Sequence, residues 1–514
     1  MKDQVIRGTL LAEALLTSGL VVGKPAHGDD SQIAAEKRGL LVLGAGVAGL
    51  ALALAAAERG GEVTVVEKDG VPFGALSTGY WRLVDPTEYD WPHRHWREGQ
   101  LPMPTPGYAV PDVLLPLPLI RAAGWMLASV WSTLHGSVLF PQTPGASVRV
   151  GAGSVSILYG RDANALSIDD SASASALATR TPGQPMLSVS AAAATASVRV
   201  SSSGWDTPQW VRTPFAAVVS CIGIGVEVTS ERPVPAAADA GKWNGFRGFR
   251  FWGDYDGMRQ KGFAANVDGL KPRAILISGS GDGAMQDFQR ATTGQFGRDL
   301  YDKITGAVGA ARFRPEAAMQ DALLAEDHAR RAHGWRPAGS KIDEAFAYWH
   351  DQYARAVHEV WTRWTPHEQS VVAHTVLRPE VVNELRRLEQ PRVTVRWVIR
   401  ESSPAYAYGL NRFLCLLVLK LMAHQQGEEL AKRAPIFREN TEITVIKPVA
   451  PHVCAGNPTL CYAQPHKVRL TDLSTGKFQT RLFDLILIRH GQELSSLLGG
   501  AAVPEQHVPF DLPR

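Results

Sequence analysis

A glycine-rich turn between a short strand and a helix constrains this sequence more than any other feature. The segment GAGVAG at residues 44–49 follows an apolar run at 40–43 and opens an Ala- and Leu-rich stretch that ends at Arg59. In this pattern the first glycine makes the tight turn, the second lets the backbone approach a pyrophosphate, and the third permits close helix packing. The N-terminus of the helix then faces the phosphates. The turn therefore predicts a Rossmann-type βαβ unit.

An acidic residue completes this fingerprint. Glu67 ends the second predicted strand, at 62–67, and Lys68 follows it directly. A carboxylate about 20 residues after the first glycine accepts hydrogen bonds from ribose hydroxyls. Because this position suits both NAD and the adenosine of FAD, these residues alone leave the choice of dinucleotide open.

A second glycine-rich turn lies in the middle of the chain. Residues 279–284, GSGDGA, follow an apolar strand at 274–278, and Ala284 replaces the last glycine, as such turns tolerate. Asp282 adds a negative charge, and no predicted strand carries an Arg or an acid about 20 residues later. Two interpretations stay open, a dinucleotide site and a turn that is structural or faces a flavin.

Two later segments join these turns in a family resemblance. The strand at 215–222 ends in Ser-Cys-Ile-Gly, where the family has Ala-Thr-Gly, and the strand at 483–488 is followed by Gly491. In order along the chain, the four signatures resemble the two-dinucleotide-binding-domain FAD flavoproteins. That superfamily includes flavin monooxygenases and, more loosely, single-component flavin halogenases. The resemblance implies FAD on the first turn, the pyrophosphate of NAD(P)H on the second, and the late strand beside the flavin.

The predicted fold class is α/β. A Rossmann-type FAD domain is expected together with a second dinucleotide-binding-like domain and a helical insertion. The predicted division is an N-terminal extension at 1–38, the first part of the FAD domain at 39–240, the second domain with its insertion at 241–400, and the C-terminal part of the FAD and substrate domain at 401–514.

The resemblance also implies a set of cofactor-binding residues. Arg82 lies where the family chain often passes the FAD pyrophosphate, and a guanidinium binds phosphate in a bidentate manner; an exposed Arg packed on Trp81 is the alternative. The cofactor-binding residues are Gly44, Ala45, Gly46, Ala48, Gly49, Glu67, Lys68, Arg82, Gly223, Gly279, Gly281, Ala284 and Gly491. No catalytic residue is assigned and no metal site is expected.

Other polar residues have competing interpretations. His93 and His95 suit acid–base work over a flavin or metal binding, but hydrogen-bonded or solvent-facing histidines are favoured. The group at 406–412 suits the mouth of a substrate pocket or ordinary helix capping; its polar members are Tyr406, Tyr408, Asn411 and Arg412. Lys261 and Lys271 matter only if an oxidant such as a hypohalous acid is handled, and solvated surface lysines are favoured.

The predicted function is an FAD-dependent oxidoreductase. An NAD(P)H-dependent monooxygenase or halogenase is favoured, with a small organic molecule and dioxygen as its substrates. The alternative is an FAD-dependent amine or L-amino-acid oxidase that produces hydrogen peroxide. The family's disulfide reductases are disfavoured, because the 4 cysteines include no C-x-x-C pair.

Composition excludes other classes of partner. A net charge of +3 gives no basis for nucleic-acid binding. No apolar run approaches the roughly 20 residues that span a bilayer, so no integral membrane association is expected. A cytoplasmic location is favoured, and export is the alternative, since a weakly basic start, an apolar stretch at 8–23 and Ala26-His27-Gly28 together suit a signal peptide. The oligomeric state is left open.

Overall fold

The protein divides into two compact units, which are described separately. The first unit comprises Met1–Pro86, Glu98–Gly225 and Leu494–Arg514, and the second comprises Thr87–Arg97 and Val226–Glu493. The computed structural model describes residues 2–23, 39–70, 72, 83–84, 91–92, 117–118, 147–160, 166–169, 198–202, 211–221, 226–230, 242–251, 254–264, 271–322, 343–384, 393–404, 407–427, 435–449 and 465–493.

The first unit is built on a mainly parallel five-stranded sheet in the order β10-β1-β2-β6-β5. Its strands are β1 (Gly39–Leu43), β2 (Glu62–Val66), β3 (Leu83–Val84), β4 (Leu117–Pro118), β5 (Ser147–Val150), β6 (Gly153–Leu158), β7 (Leu166–Asp169), β8 (Val198–Ser202), β9 (Val211–Phe215) and β10 (Ala217–Ser220). Only β5 runs antiparallel to its neighbour in this sheet. The strands β7, β8 and β9 form a separate antiparallel sheet, and β3 pairs with β4. The predicted βαβ unit is therefore confirmed.

Two helices of the first unit pack against each other. Helix α1 spans Lys2–Thr17, and helix α2 spans Val47–Glu58. Helix α2 consists almost entirely of small and aliphatic residues and is buried along most of its length, because it is covered on more than one side. At Gly8 the helices approach so closely that a Cβ atom would lie 2.5 Å from the Ala48 carbonyl oxygen. The predicted N-terminal extension thus contributes a helix to the core of this unit.

The second unit contains a second parallel sheet, in the order β16-β15-β14-β20. The strands of this unit are β11 (Val226–Glu227), β12 (Met258–Arg259), β13 (Gly262–Phe263), β14 (Ala274–Ser278), β15 (Thr394–Val398), β16 (Phe437–Arg438), β17 (Thr441–Pro448), β18 (His466–Asp472), β19 (Phe478–Phe483), β20 (Leu485–Ile488) and β21 (Gln492–Glu493). The helices are α3 (Asp282–Thr293), α4 (Gly297–Val308), α5 (Pro315–Ala318), α6 (Asp343–Thr362), α7 (Pro366–Val376), α8 (Pro379–Glu384) and α9 (Gly409–Gln426).

This second sheet is covered on both faces. Ile275 and Ile277 of β14 pack with the helices in one apolar cluster, whereas Leu276 packs in another with Ile443 and Val468. The latter two belong to the antiparallel sheet β17-β18-β19. Burial on both faces explains why β14 and β20 are continuous apolar runs. No helix in the described ranges is long and apolar enough to cross a membrane.

Strand β20 differs from its expected place. The resemblance implied that the strand at 483–488 returns beside the flavin, within a C-terminal segment at 401–514 of the FAD domain. In the structure β20 pairs in parallel with β14 of the second sheet, with Ile275 opposite Leu485 and Ser278 opposite Ile488. Asp484 separates β19 from β20, because its carboxylate accepts hydrogen bonds from the amides of Arg273 (2.8 Å) and Ala274 (3.0 Å).

A buried ionic cluster connects β20 to helix α3. Arg489, directly after β20, donates from Nε to Asp287 Oδ2 at 2.7 Å. Arg290 donates to Asp287 at 2.9 Å and to Asp256 at 3.0 Å. Both aspartate side chains are fully buried, as is all but 4 % of the Arg489 side chain. Two cations and two anions compensate each other where water cannot.

The helix contact at Gly8 predicts an effect on stability. In Gly8→Ala the new methyl group would collide with the backbone of α2, at an overpacking cost of about 1–3 kcal/mol. We expect a lower melting temperature. Gly306→Ala is the matched control, because nothing lies within 4 Å of a Cβ at that helical glycine; Ala is favoured there by roughly 1 kcal/mol, so its melting temperature should hold or rise. Equal melting temperatures for both variants would contradict the close packing of α1 on α2.

The ionic cluster predicts a second effect. Asp287→Asn leaves Arg489 and Arg290 with one carboxylate between them, which costs about 3–5 kcal/mol for a buried pair. We expect a large fall in the denaturant midpoint. Asp302→Asn is the control: Asp302 is 41 % exposed and pairs with Arg298 at 3.4 Å, so its loss should cost no more than about 1 kcal/mol. Similar midpoints for the two variants would show that the cluster does not hold β20.

Candidate functional site

The first glycine turn has the geometry that a dinucleotide-binding turn needs. The Gly44 amide donates to the Val66 carbonyl at 2.7 Å, and Gly44 has a φ of 102°, which favours glycine. A Cβ atom on Gly49 would collide with the Gly44 carbonyl oxygen, so the third glycine permits the turn to close. At Gly46, the N-cap of α2, a Cβ atom would meet nothing within 4 Å. The open space therefore lies where a phosphate can approach the helix N-terminus.

Glu67 lies at this turn, as predicted from its position after β2. Its Oε2 accepts a hydrogen bond from the Ala45 amide at 2.6 Å, and its Oε1 accepts one from the Asp69 amide at 2.9 Å. These two bonds hold the carboxylate at the carboxyl end of the sheet, beside the start of the turn. Lys68 follows as an exposed residue.

Strand β10, at the edge of the first sheet beside β1, brings a cysteine to the turn. Cys221 follows β10, and its amide donates to the Leu43 carbonyl at 2.7 Å. Its Cβ lies 3.2 Å from where a Cβ of Gly49 would stand, so a small side chain is needed there. Burial raises the pKa of the Cys221 thiol to about 12, which keeps it neutral. Cys221 therefore packs against the turn.

The second glycine turn repeats this backbone arrangement. The Gly279 amide donates to the Val398 carbonyl at 3.0 Å, and the Arg489 amide donates to the Ser278 carbonyl at 2.7 Å. Gly279 has a φ of 141°, and a Cβ atom there would collide with the Arg489 carbonyl oxygen. The order β20-β14-β15 corresponds to β10-β1-β2 in the first sheet. Gly281 is the N-cap of α3, as Gly46 is of α2.

The two turns differ in the residue that follows the neighbouring strand: the first has an acid there and the second does not. In register, Val398 of β15 takes the place of Val66 of β2, so Ile399 takes the place of Glu67. Arg400 follows, with 65 % of its side chain exposed and Glu442 at 4.0 Å. Sequence reasoning missed this pair, because it searched about 20 residues after the turn, whereas helices α4 to α8 lie between α3 and β15.

Asp282 at the second turn has internal partners. Its Oδ1 accepts hydrogen bonds from the Tyr408 amide and from the Asn411 side chain, both at 2.8 Å. The charge that looked unfavourable in the sequence therefore fixes the start of α9 against the start of α3. Ala284, in the place of the third glycine, is fully buried.

The residues around the start of α9 are packed inside the second unit. Asn411 and Arg412 are fully buried. Arg412 donates to His350 Nδ1 at 3.1 Å, and its guanidinium lies 4.6 Å from the centre of the Trp349 ring. Burial, and then the charge of Arg412, lowers the pKa of His350 to about 4, so this histidine is neutral. Burial of Asn411 and Arg412 favours an internal role over the mouth of a pocket.

The remaining residues predicted from the sequence are exposed, belong to the second unit or lie outside the described residues. Lys261 and Lys271 are exposed, as favoured, and Gly491 has a φ of 84° in the second unit. Arg82, His93, His95, Gly223 and Tyr406 lie outside the described residues. Among the described residues, no group of three or more His, Cys, Asp or Glu side chains is placed to hold a metal ion.

Much of the first unit matches a known protein family. Residues 40–211 match the profile of the DAO family, described as FAD dependent oxidoreductase. No curated protein matches the chain.

Solved structures share only a distant likeness with the chain. Thioredoxin reductase of Lactococcus lactis is 12% identical, with 88% of this chain and 78% of that chain covered and a TM-score of 0.32. The ornithine hydroxylase PvdA of Pseudomonas aeruginosa is 13% identical, with 90% and 85% covered and a TM-score of 0.32. DfoA of Erwinia amylovora, a cadaverine monooxygenase, is 12% identical, with 90% and 80% covered and a TM-score of 0.33.

The family match and the turn geometry agree. The matched segment contains the open glycine turn, the acid held beside it and strands β1 to β8 of the first unit. The open glycine turn and the carboxylate of Glu67 are the kinds of group that the pyrophosphate and ribose of a dinucleotide need. Residues 40–211 therefore carry the FAD-binding part of an FAD-dependent oxidoreductase.

Proposed function

We propose that the protein is an NAD(P)H-dependent flavin monooxygenase or halogenase that acts on a small organic substrate and dioxygen. FAD binds at the first glycine turn and NAD(P)H at the second. The observation that carries this proposal is the repetition of one backbone arrangement in two parallel sheets. In both, the first glycine donates its amide to the neighbouring strand, and the glycine two residues later is the N-cap of a helix.

The chain's own residues supply binding and orientation. At each turn, the glycines admit the ligand backbone and the helix N-terminus offers amide donors to a pyrophosphate. Glu67 accepts a hydrogen bond from the adenosine ribose of FAD, and the other predicted residues of the first turn, Ala45, Ala48 and Gly49, shape the space through which the cofactor approaches. FAD, when bound, would supply the redox chemistry, as hydride acceptor from NAD(P)H and electron donor to dioxygen. Arg82, Lys68, Gly223 and Gly491 stay proposed as further cofactor contacts.

The residues after β15 favour NADPH over NADH. Ile399 offers no carboxylate to a ribose 2′-hydroxyl, which is the group that an acid binds in NAD sites. Arg400, exposed at the carboxyl end of the strand, matches a 2′-phosphate instead. Its partner Glu442 is 4.0 Å away, at the limit of an ion pair, so the guanidinium keeps donors for a ligand.

One observation favours a second function, an FAD-dependent amine or L-amino-acid oxidase that produces hydrogen peroxide. The second turn lacks the ribose-binding acid and carries Asp282 at the start of its helix. In an oxidase the substrate itself reduces the flavin, and a pyridine-nucleotide site is not needed. The two functions differ in the compound that reduces the flavin.

Anaerobic reduction of the flavin distinguishes these functions. The FAD-loaded protein is mixed separately with NADPH, NADH and a panel of amines and L-amino acids, and the oxidised flavin band near about 450 nm is followed. We expect rapid bleaching by NADPH, slower bleaching by NADH and none by the amines. Bleaching by an amine alone would replace the monooxygenase or halogenase proposal by the oxidase.

A substitution at Arg400 tests the second site on its own. Arg400→Gln removes the charge proposed to bind the 2′-phosphate, and a charge-assisted hydrogen bond contributes about 1.5–3 kcal/mol. We therefore expect the Kd of NADPH to rise about tenfold or more, with that of NADH unchanged, as measured by calorimetric titration. Arg363→Gln removes a guanidinium 41 % exposed after α6 and should change neither Kd. An equal change for both nucleotides in Arg400→Gln would contradict a role in 2′-phosphate binding.

A further inference from the structure

Tyr159 lies beside the acid of the first turn although no motif points to it. It directly follows β6, which pairs in parallel with β2. The Glu67 amide donates to the Leu158 carbonyl at 2.9 Å, and the Gly160 amide donates to the Asp69 carbonyl at 3.2 Å. The segments after β2 and β6 therefore run side by side beyond the strand ends, which places Tyr159 next to Glu67.

The Tyr159 hydroxyl is a buried donor in need of an acceptor. Its oxygen is inaccessible to solvent and has no hydrogen-bond partner among the residues that the structure describes. Leaving such a group unpaired is unfavourable. Burial, and then the negative charge of Glu67, raises the pKa of Tyr159, so the hydroxyl keeps its proton. The ring itself packs against the apolar core around α2, which holds the hydroxyl in place.

The neighbouring carboxylate retains capacity to accept. Each oxygen of Glu67 accepts one backbone amide, from Ala45 and from Asp69. Each carboxylate oxygen accepts up to about two hydrogen bonds. The site thus offers remaining acceptor capacity on Glu67 and, on Tyr159, a donor without a partner among the described residues, next to each other beyond the carboxyl ends of β2 and β6. A hydroxyl group, which donates one hydrogen bond and accepts another, complements both.

We propose that Tyr159 and Glu67 together bind a ribose hydroxyl of the FAD adenosine, with Glu67 accepting its proton and Tyr159 donating to its oxygen. This inference rests on the assignment of FAD to the first turn and adds a second residue to the ribose site. Tyr159 is then a residue that selects the sugar, and its hydroxyl is satisfied only when the cofactor is bound.

The role proposed for the Tyr159 hydroxyl concerns FAD affinity and not the stability of the apoprotein. If the hydroxyl has a partner only in the FAD complex, Tyr159→Phe removes nothing from the apoprotein. We expect its melting temperature without FAD to equal or exceed that of the wild type. Its Kd for FAD, from flavin fluorescence titration of apoprotein, should rise about 3- to 10-fold, as for the loss of one hydrogen bond. Tyr348→Phe, at a tyrosine that is 59% exposed in the second unit, is the control and should change neither value.

Sugar analogues test the group that is recognised. ADP and its 2′-deoxy and 3′-deoxy analogues compete with FAD for the apoprotein. The wild type should bind one deoxy analogue several-fold more weakly than ADP, and both Tyr159→Phe and Glu67→Gln should lose most of that discrimination. In the double variant the two losses should be less than additive, because both residues bind one hydroxyl.

The outcomes are distinguishable. If the wild-type apoprotein does not bind FAD, the assignment of FAD to the first turn fails, and the role of Tyr159 fails with it. If FAD binds the wild type and Tyr159→Phe equally well, or if Tyr159→Phe still discriminates against the deoxy analogue, only the role of Tyr159 is overturned. A lower melting temperature of the Tyr159→Phe apoprotein would show that the hydroxyl has a structural partner, and would likewise overturn it.

Discussion

The amide of the first glycine in each turn is hydrogen-bonded to the neighbouring strand, and much of the functional geometry depends on that bond. Gly44 donates to Val66, and Gly279 donates to Val398. Because this amide is hydrogen-bonded to the sheet, the chain turns out of the sheet plane at the glycine itself. The turn requires a positive φ, which glycine adopts readily. The N-cap of the following helix lies two residues later, and the helix directs its unpaired amides over the carboxyl end of the sheet. The strand that accepts this bond also positions the polar residue beside the turn, which is Glu67 after β2 and Arg400 after β15.

This dependence explains why part of the molecule could be predicted from the sequence. The first βαβ unit is continuous in the chain, so residues 44–49 and Glu67 were recognisable from local spacing alone. In the second unit the strand that accepts the bond from Gly279 is separated from it by helices α4 to α8. The local spacing therefore could not identify Ile399 and Arg400, although the strand β14 was itself predicted from its apolar residues.

Other features depend on partners that a linear pattern does not contain. The apolar run of β20 fits any buried parallel strand, and the choice between the two sheets is made by pairing and packing. From the sequence, Arg489 resembles a surface residue at a strand end. In the structure its Nε donates to Asp287 Oδ2 at 2.7 Å. Tyr159 is conspicuous only because its hydroxyl is buried and has no hydrogen-bond partner among the described residues. In each case tertiary contacts change the meaning of a residue whose local sequence is ordinary.

The charges at the two helix starts have a consequence for how the proposed cofactors would be held. The first turn of α2 carries no acidic residue, and its amides and the helix dipole favour a phosphate there. The first turn of α3 carries Asp282, whose Oδ1 accepts hydrogen bonds from the Tyr408 amide and the Asn411 side chain. A negative charge there offsets part of the favourable interaction with a pyrophosphate. This difference agrees with the proposal that FAD stays bound at the first turn and that the nucleotide proposed for the second turn leaves after each hydride transfer.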